Sequence, residues 1–285
     1  MLDSRVPSQP ASSRSVCLIL FAHQVHPEFP LIVAANRDEF HGRPAAAAAF
    51  WSDEPDMLAG RDLEAGGTWL GVSRRGRFAA VTNFAEEPPD PLPPRSRGAL
   101  VSDFLSGGRA AEAYLREVAR HASEYRGFNL LVGDAQTLWY FSNRIPEPRQ
   151  LAPGTYGLSN HLLDTNWPKV RQGKSALAVF EESEADPAVD PLLDLLADET
   201  SPTDAELRAA GLDPERMRRA APCFIRGEAY GTRASTVVMM RGDGLIDFTE
   251  VAFGSNGRRS GRRDFSFETA SSAEPKLDLS AVRSS

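Results

Sequence analysis

Cys17-Leu18-Ile19-Leu20-Phe21-Ala22, followed by Leu31-Ile32-Val33-Ala34-Ala35 running straight into Asn36-Arg37-Asp38-Glu39, decides how this chain is read. Two short apolar runs separated by a polar, proline-containing connection are the pattern of paired, buried strands. A thiol then heads the first strand, and an arginine and two carboxylates end the second. So abrupt a change from apolar to charged residues marks a passage from core into cleft. A cysteine beside an arginine and an acid has what an oriented nucleophile needs, because the cation favours the thiolate. Two plainer readings stay open. Cys17 can be a small buried hydrophobe, and Arg37, Asp38 and Glu39 can pair with one another in solvent.

At 285 residues the chain is long enough for one large domain or two small ones. Its net charge of −7 and isoelectric point near 5.4 argue against a general nucleic-acid binder, which must neutralise phosphates. The exception is Arg258, Arg259, Arg262 and Arg263, read as a solvated loop beside a strand. Two cysteines, Cys17 and Cys223, make no disulfide framework, and the five histidines have no ligand spacing. No metal and no cofactor are expected. No run approaches the roughly 18 apolar residues of a membrane span, and residues 1–15 lack the apolar centre of a signal peptide. The expected setting is cytoplasmic, with no integral membrane association.

Apolar runs at 17–22, 31–35, 69–73, 77–83, 128–132, 138–141, 155–159, 223–226, 234–240 and 245–251 read as strands. Helical periodicity occupies Ala99–Leu105, Ala110–Ala122, Pro168–Glu182, Pro191–Ala197 and Asp204–Ala210. Blocks of strands and helices in turn, without regular βαβ alternation, imply an α+β fold of sheets with helical layers. The expected organisation is an extension over 1–16, one domain over 17–269 and a disordered tail over 270–285. The proline cluster at 88–94 reads as a rigid surface loop.

Further candidates sit at strand ends and turns. Asn83 closes Val81-Thr82-Asn83, and Asn160 follows Leu158-Ser159. Either can be a turn-former or an amide donor to an oxyanion. Gly66-Gly67-Thr68-Trp69 offers a hairpin or a backbone that substrate can approach. Arg233, before a strongly apolar strand, suits an ion pair or a planar grip on a carboxylate or carbonyl.

The blocks Asn36-Arg37-Asp38-Glu39-Phe40, Gly66-Gly67-Thr68-Trp69-Leu70-Gly71, Gly127-Phe128-Asn129-Leu130, Gly154-Thr155-Tyr156-Gly157-Leu158-Ser159-Asn160 and Tyr230-Gly231-Thr232-Arg233 occur in the order of one family. The chain resembles the NRDE family, also called the transport and Golgi organisation protein 2 family, from residue 17 to about 269. That family is similar to the N-terminal-nucleophile (Ntn) hydrolases, especially the cysteine branch of choloylglycine hydrolases and acid ceramidases. The resemblance implies a four-layer αββα sandwich of two mainly antiparallel sheets. It also implies an amidohydrolase with Cys17 as nucleophile and Arg37, Asp38, Asn83, Asn160 and Arg233 as catalytic partners, with Glu39 an alternative to Asp38 as the acid. Asn36, Glu39, Gly67, Thr68 and Trp69 would meet a small acyl or amide substrate. A haem- or lipid-handling scaffold is the competing expectation. Catalysis would need the Cys17 amine exposed, by cleavage before Cys17 or by initiation at Val16.

Overall fold

A computed structural model of the chain describes residues 17–85, 95–180, 188–218 and 220–270. The expectations for 1–16, for the proline cluster and for almost all of the tail lie outside the described residues.

The nucleophile candidate precedes β1 (Leu18–His23), which pairs with β2 (Leu31–Phe40) in an antiparallel hairpin. Side chains of a strand alternate between faces, and both faces of this hairpin are buried. Ile19, Phe21, Leu31, Val33 and Ala35 join a core between two sheets, while Leu18, Leu20, Ile32 and Ala34 join another beneath helices. Such double burial is why these segments read as unbroken apolar runs.

β1 and β2 lie in a six-stranded sheet ordered β10-β1-β2-β11-β12-β13, where β10 is Gly154–Leu158, β11 Tyr230–Met240, β12 Leu245–Gly254 and β13 Arg258–Glu268. The second sheet has seven strands in sequence order: β3 (Ala45–Phe50), β4 (Met57–Asp62), β5 (Leu70–Ser73), β6 (Phe78–Asn83), β7 (Phe128–Gly133), β8 (Leu138–Ser142) and β9 (Arg149–Gln150). Every pairing between neighbouring strands is antiparallel. Helices α1 (Gly98–Ser106) and α2 (Ala111–Arg120) cover the outer face of the seven-stranded sheet through Leu100, Phe104, Leu115 and Val118. Helices α3 (Pro168–Ala178) and α4 (Val189–Leu196) cover the six-stranded sheet through Val170, Leu177, Leu192 and Leu196. The order is helix, sheet, sheet, helix: the expected αββα sandwich. Two short helices, α5 (Asp204–Ala209) and α6 (Pro214–Met217), complete it. No helix among the described residues is long and apolar enough to cross a membrane.

Several sequence expectations need correction. β2 does not stop at Ala35: it continues through Phe40, because β11 pairs with it as far as Phe40↔Tyr230. β3 and β4 were not foreseen. Five alanines carry little strand propensity, and β3 is held by its pairing with β4. The arginines at 258–263 belong to β13, an edge strand whose backbone pairs with β12 while its side chains are exposed. Charge on an edge strand discourages pairing with another chain. Residues 223–226 are not a strand. They run from a bend at 222–224 into irregular chain, held to β11 by Thr232 N–H donating to the Ile225 carbonyl at 2.8 Å.

Candidate active site

Strand alternation divides the Asn36–Glu39 block between two environments. Arg37 and Glu39 line a cleft of about 760 Å³ together with Cys17, whereas Asn36 and Asp38 are fully buried and do not reach its wall. Asn36 Nδ2 donates to the carbonyls of Leu196 and Cys223, both at 2.8 Å, and its Oδ1 accepts from Ser235 Oγ at 2.6 Å. It ties β2 to α4 and the 223 bend. The expectation that Asn36 touches substrate does not fit this placement, and the reason is the two-residue period of the strand.

Cys17 lies at the cleft floor, 6% exposed. Its Sγ faces the Asp38 backbone carbonyl at 3.9 Å, and its own carbonyl accepts from Ser159 Oγ at 2.7 Å. Asp38 therefore meets the cysteine through its main chain. Its carboxylate points to the opposite face of β2, where Thr232 Oγ1 donates at 2.6 Å. Burial raises the Asp38 pKa to about 6, against the opposing pull of Lys169, Thr232 and Arg37. Lys169, on α3, is itself buried, with Nζ 3.5 Å from the Ala220 carbonyl. Burial lowers its pKa, and the charge of Asp38 counters that. No periodic signal marked Lys169, since its neighbours along α3 are mixed and its partner lies on another element.

Of Asp38 and Glu39, it is Glu39, the alternative left open by the sequence, that lines the cleft wall. Its carboxylate lies 3.9 Å from Arg37, and Arg37 also reaches Asp62 at 4.0 Å. Arg233 joins the wall through a β-bulge. Register is Thr232↔Asp38 and then Ala234↔Arg37, so Arg233 is the extra residue, and both Arg233 and Ala234 line the cleft. Its Nη1 donates to the carbonyls of Phe40, at 3.1 Å, and Arg43. Burial and then Arg37 lower its pKa.

Asn83 ends β6 on the cleft wall, and its side chain makes no hydrogen bond among the described residues. Asn160 is placed differently. Its Nδ2 donates to the Asn83 carbonyl at 2.9 Å, it is buried, and it does not line the cleft. Asn160 holds the backbone of Asn83, so the two expected amides are joined but only one is presented. The same segment carries a network that the sequence did not announce: Thr82 Oγ1 donates to the Ser159 carbonyl at 2.7 Å, Asn129 Nδ2 to Thr82 Oγ1 at 3.1 Å, and Tyr140 OH to Asn129 Oδ1 at 2.8 Å. It stitches β10, and through it the Cys17 strand, to the facing sheet.

Gly67, Thr68 and Trp69 all line the cleft. Thr68 Oγ1 is committed to the Leu70 carbonyl at 3.1 Å, and Trp69 packs against both neighbouring cores. Gly67 is required by close approach: a Cβ there would lie 2.5 Å from the carbonyl carbon of Gly98. Glu250, on β12, was missed. Buried on the wall, its Oε1 accepts from Ala48 N–H at 2.7 Å across the two sheets, and burial raises its pKa. Arg97 and Arg126 were missed too, because only the fold brings the start of α1 and the start of β7 to Cys17. No group of three or more potential metal ligands occurs among the described residues.

Comparison of the sequence with known proteins identifies its family. Residues 16–255 match the family model described as Transport and Golgi organisation 2. The mouse Transport and Golgi organization 2 homolog is 40% identical over 256 residues, covering 82% of this chain and 92% of its own. The human homolog is 39% identical over the same length and coverage, and the Drosophila melanogaster protein 28% identical over 262 residues, covering 82% and 91%. Among solved structures, the Caenorhabditis elegans N-acylethanolamine-hydrolyzing acid amidase ortholog aligns over 78% of this chain and 92% of its own, with 11% identity and a TM-score of 0.42. The chain belongs to the Transport and Golgi organisation 2 family.

Proposed function

We propose that the protein is a cytoplasmic amidohydrolase of the N-terminal-nucleophile type, cleaving an amide or related acyl bond of a small molecule through a thioester on Cys17. The observation that carries this reading is a thiol at the head of a central strand, on the floor of a polar cleft, beside an arginine and a carboxylate that are themselves ion-paired. Cys17 Sγ attacks the acyl carbon, forming the C–S bond as the carbonyl electrons move to oxygen. The α-amine of Cys17 takes the thiol proton and delivers it to the departing amine as the C–N bond breaks; water then hydrolyses the thioester. Asn83 donates its side-chain amide to the oxyanion, a role whose loss typically costs about 10²–10³ in rate. Arg37 and Glu39 orient the thiol, Asp38 and Asn160 set backbone positions, and Arg233 fixes the carbonyls of Phe40 and of Arg43, which lines the cleft. The mechanism requires that no peptide bond precede Cys17.

The test is intact-mass analysis of protein made from its natural upstream region, before and after an acyl chloroketone. The expected result is one adduct, mapped to Cys17, on a chain beginning at Cys17, together with amide turnover abolished by Cys17→Ala. Burial pushes the Cys223 thiol up to about 11, so it stays thiol at neutral pH and unlabelled. Preferential labelling of Cys223, or turnover by a chain still carrying residues 1–16, refutes the mechanism. Tight binding of haem or lipid without turnover instead supports carriage on the same scaffold.

A further inference from the structure

Although the chain carries a net charge of −7, its cleft is lined by seven arginines against four acidic residues. Most of these arginines are answered. Arg43 pairs with Asp62 at 2.7 Å and Glu64 at 3.3 Å, Arg61 with Asp53 at 2.7 Å and Arg95 with Glu124 at 3.2 Å. Among the described residues Arg97, Arg126 and Arg233 have no carboxylate within ion-pair distance, and of these Arg233 is spent on the Phe40 and Arg43 carbonyls. Arg97 Nη1 donates only to the Gly127 carbonyl at 3.0 Å, and Arg126 Nε is buried without a hydrogen-bond partner. The two cations repel. Burial and then Arg126 push the Arg97 pKa down to about 10, while the nearby Cys17 pulls it back.

The backbone adds to this positive corner. Ser96, Arg97 and Gly98 line the cleft at the start of α1, a helix with no side-chain N-cap and no acidic residue in its first turn. The Ala99 and Leu100 N–H groups of this turn donate to the Ser96 and Arg97 carbonyls at 3.3 and 3.1 Å, so the helix start contributes the positive end of its dipole, and planar guanidinium groups match the oxygens of a carboxylate or phosphate. Gly67 brings the loop backbone against Gly98.

We propose that Arg97, Arg126 and the start of α1 form a subsite for an oxyanion, so that the cleft takes acyl compounds carrying a carboxylate or phosphate close to the bond held at Cys17. Calling the ligand an acyl compound rests on the function proposed above; the anion subsite does not.

The experiment uses Cys17→Ala protein, so that binding is read without turnover, and three amide probes with one acyl chain: N-dodecanoylglycine, N-dodecanoyl-O-phosphoethanolamine and neutral N-dodecanoylethanolamine. Calorimetry is expected to show at least one anionic probe binding tenfold or more tightly than the neutral one. The stronger of the two anionic probes identifies carboxylate or phosphate. Arg97→Gln and Arg126→Gln are each expected to lose most of that preference and keep affinity for the neutral probe, while Arg126→Lys retains it. Should a glutamine variant fail to fold, raising salt from 50 to 500 mM must reduce the preference and spare neutral binding. Equal affinity for all three probes, no measurable binding of any, or a preference untouched by the variants and by salt overturns the inference. Failure of Cys17 to accept an acyl probe would leave this result standing.

Discussion

Ser159 Oγ donates to the Cys17 carbonyl at 2.7 Å, and the Ser159 carbonyl in turn accepts from Thr82 Oγ1 at 2.7 Å. One serine thus couples the nucleophile candidate in the six-stranded sheet to β6 in the seven-stranded one, the strand that presents Asn83.

Replacing this serine tests the coupling. Ser159→Ala removes the hydroxyl that donates to the buried Cys17 carbonyl, and the loss of one such hydrogen bond costs about 0.5–1.5 kcal/mol. The expected outcome is a lower urea midpoint at unchanged m-value, together with slower iodoacetamide alkylation of Cys17. Unchanged alkylation kinetics would show that the serine serves stability alone.

Asp38 gives a pH dependence of definite sign. Its folded pKa of about 6 lies above the ordinary value of 3.8, chiefly through burial. Between those values the folded protein keeps a proton that the unfolded chain has released. The contribution of Asp38 to stability therefore falls as pH rises from about 4 to about 6 and is flat above. Asp38→Asn removes this titration. Wild type minus variant stability is expected to be greatest near pH 4 and to shrink by on the order of 2–3 kcal/mol by pH 7. Urea unfolding of both proteins at pH 4, 5 and 7 measures it; a difference that grows with pH contradicts the assignment.

Gly67→Ala forces a methyl group to 2.5 Å from the Gly98 carbonyl carbon, backbone that cannot yield as a side chain would. Overpacking of this kind costs about 1–3 kcal/mol, and here it pushes the start of α1 off the cleft. Gly42→Ala is the control, having nothing within 4 Å of the added methyl; exposed changes of that sort stay within about 0.5 kcal/mol. Thermal melts of the two variants are expected to separate clearly, and similar melting temperatures would show that the Gly67 loop moves freely.

The layered architecture was legible because its strands are buried on both faces and its helices carry one apolar stripe. Ile19 and Leu20, successive in sequence, enter different cores, and such runs announce themselves. β3 and β13 did not, since one is alanine and the other arginine, and each is held as a strand by its neighbour rather than by its own composition. Within the site, the sequence marked Cys17, Arg37, Glu39, Asn83 and Arg233, all of which the fold brings to one cleft. It could not tell that Asn36 and Asp38 face the helices, because the phase of β2 depends on pairing with β11. Nor could it find Lys169, Arg97 and Arg126. Each lies far along the chain from Cys17, and only packing gives it a neighbour.

The bulge in β11 has a hereditary consequence. Thr232 and Ala234 already pair with Asp38 and Arg37 as consecutive residues would, so the intervening Arg233 is a detachable part. Loss of its single codon would leave every other pair of the strand in register and remove one cation from the cleft; gain of a codon at the same place would restore it. A lineage can therefore tune the charge of this wall by insertion or deletion, an event that elsewhere in a central strand would turn every following side chain to the wrong face.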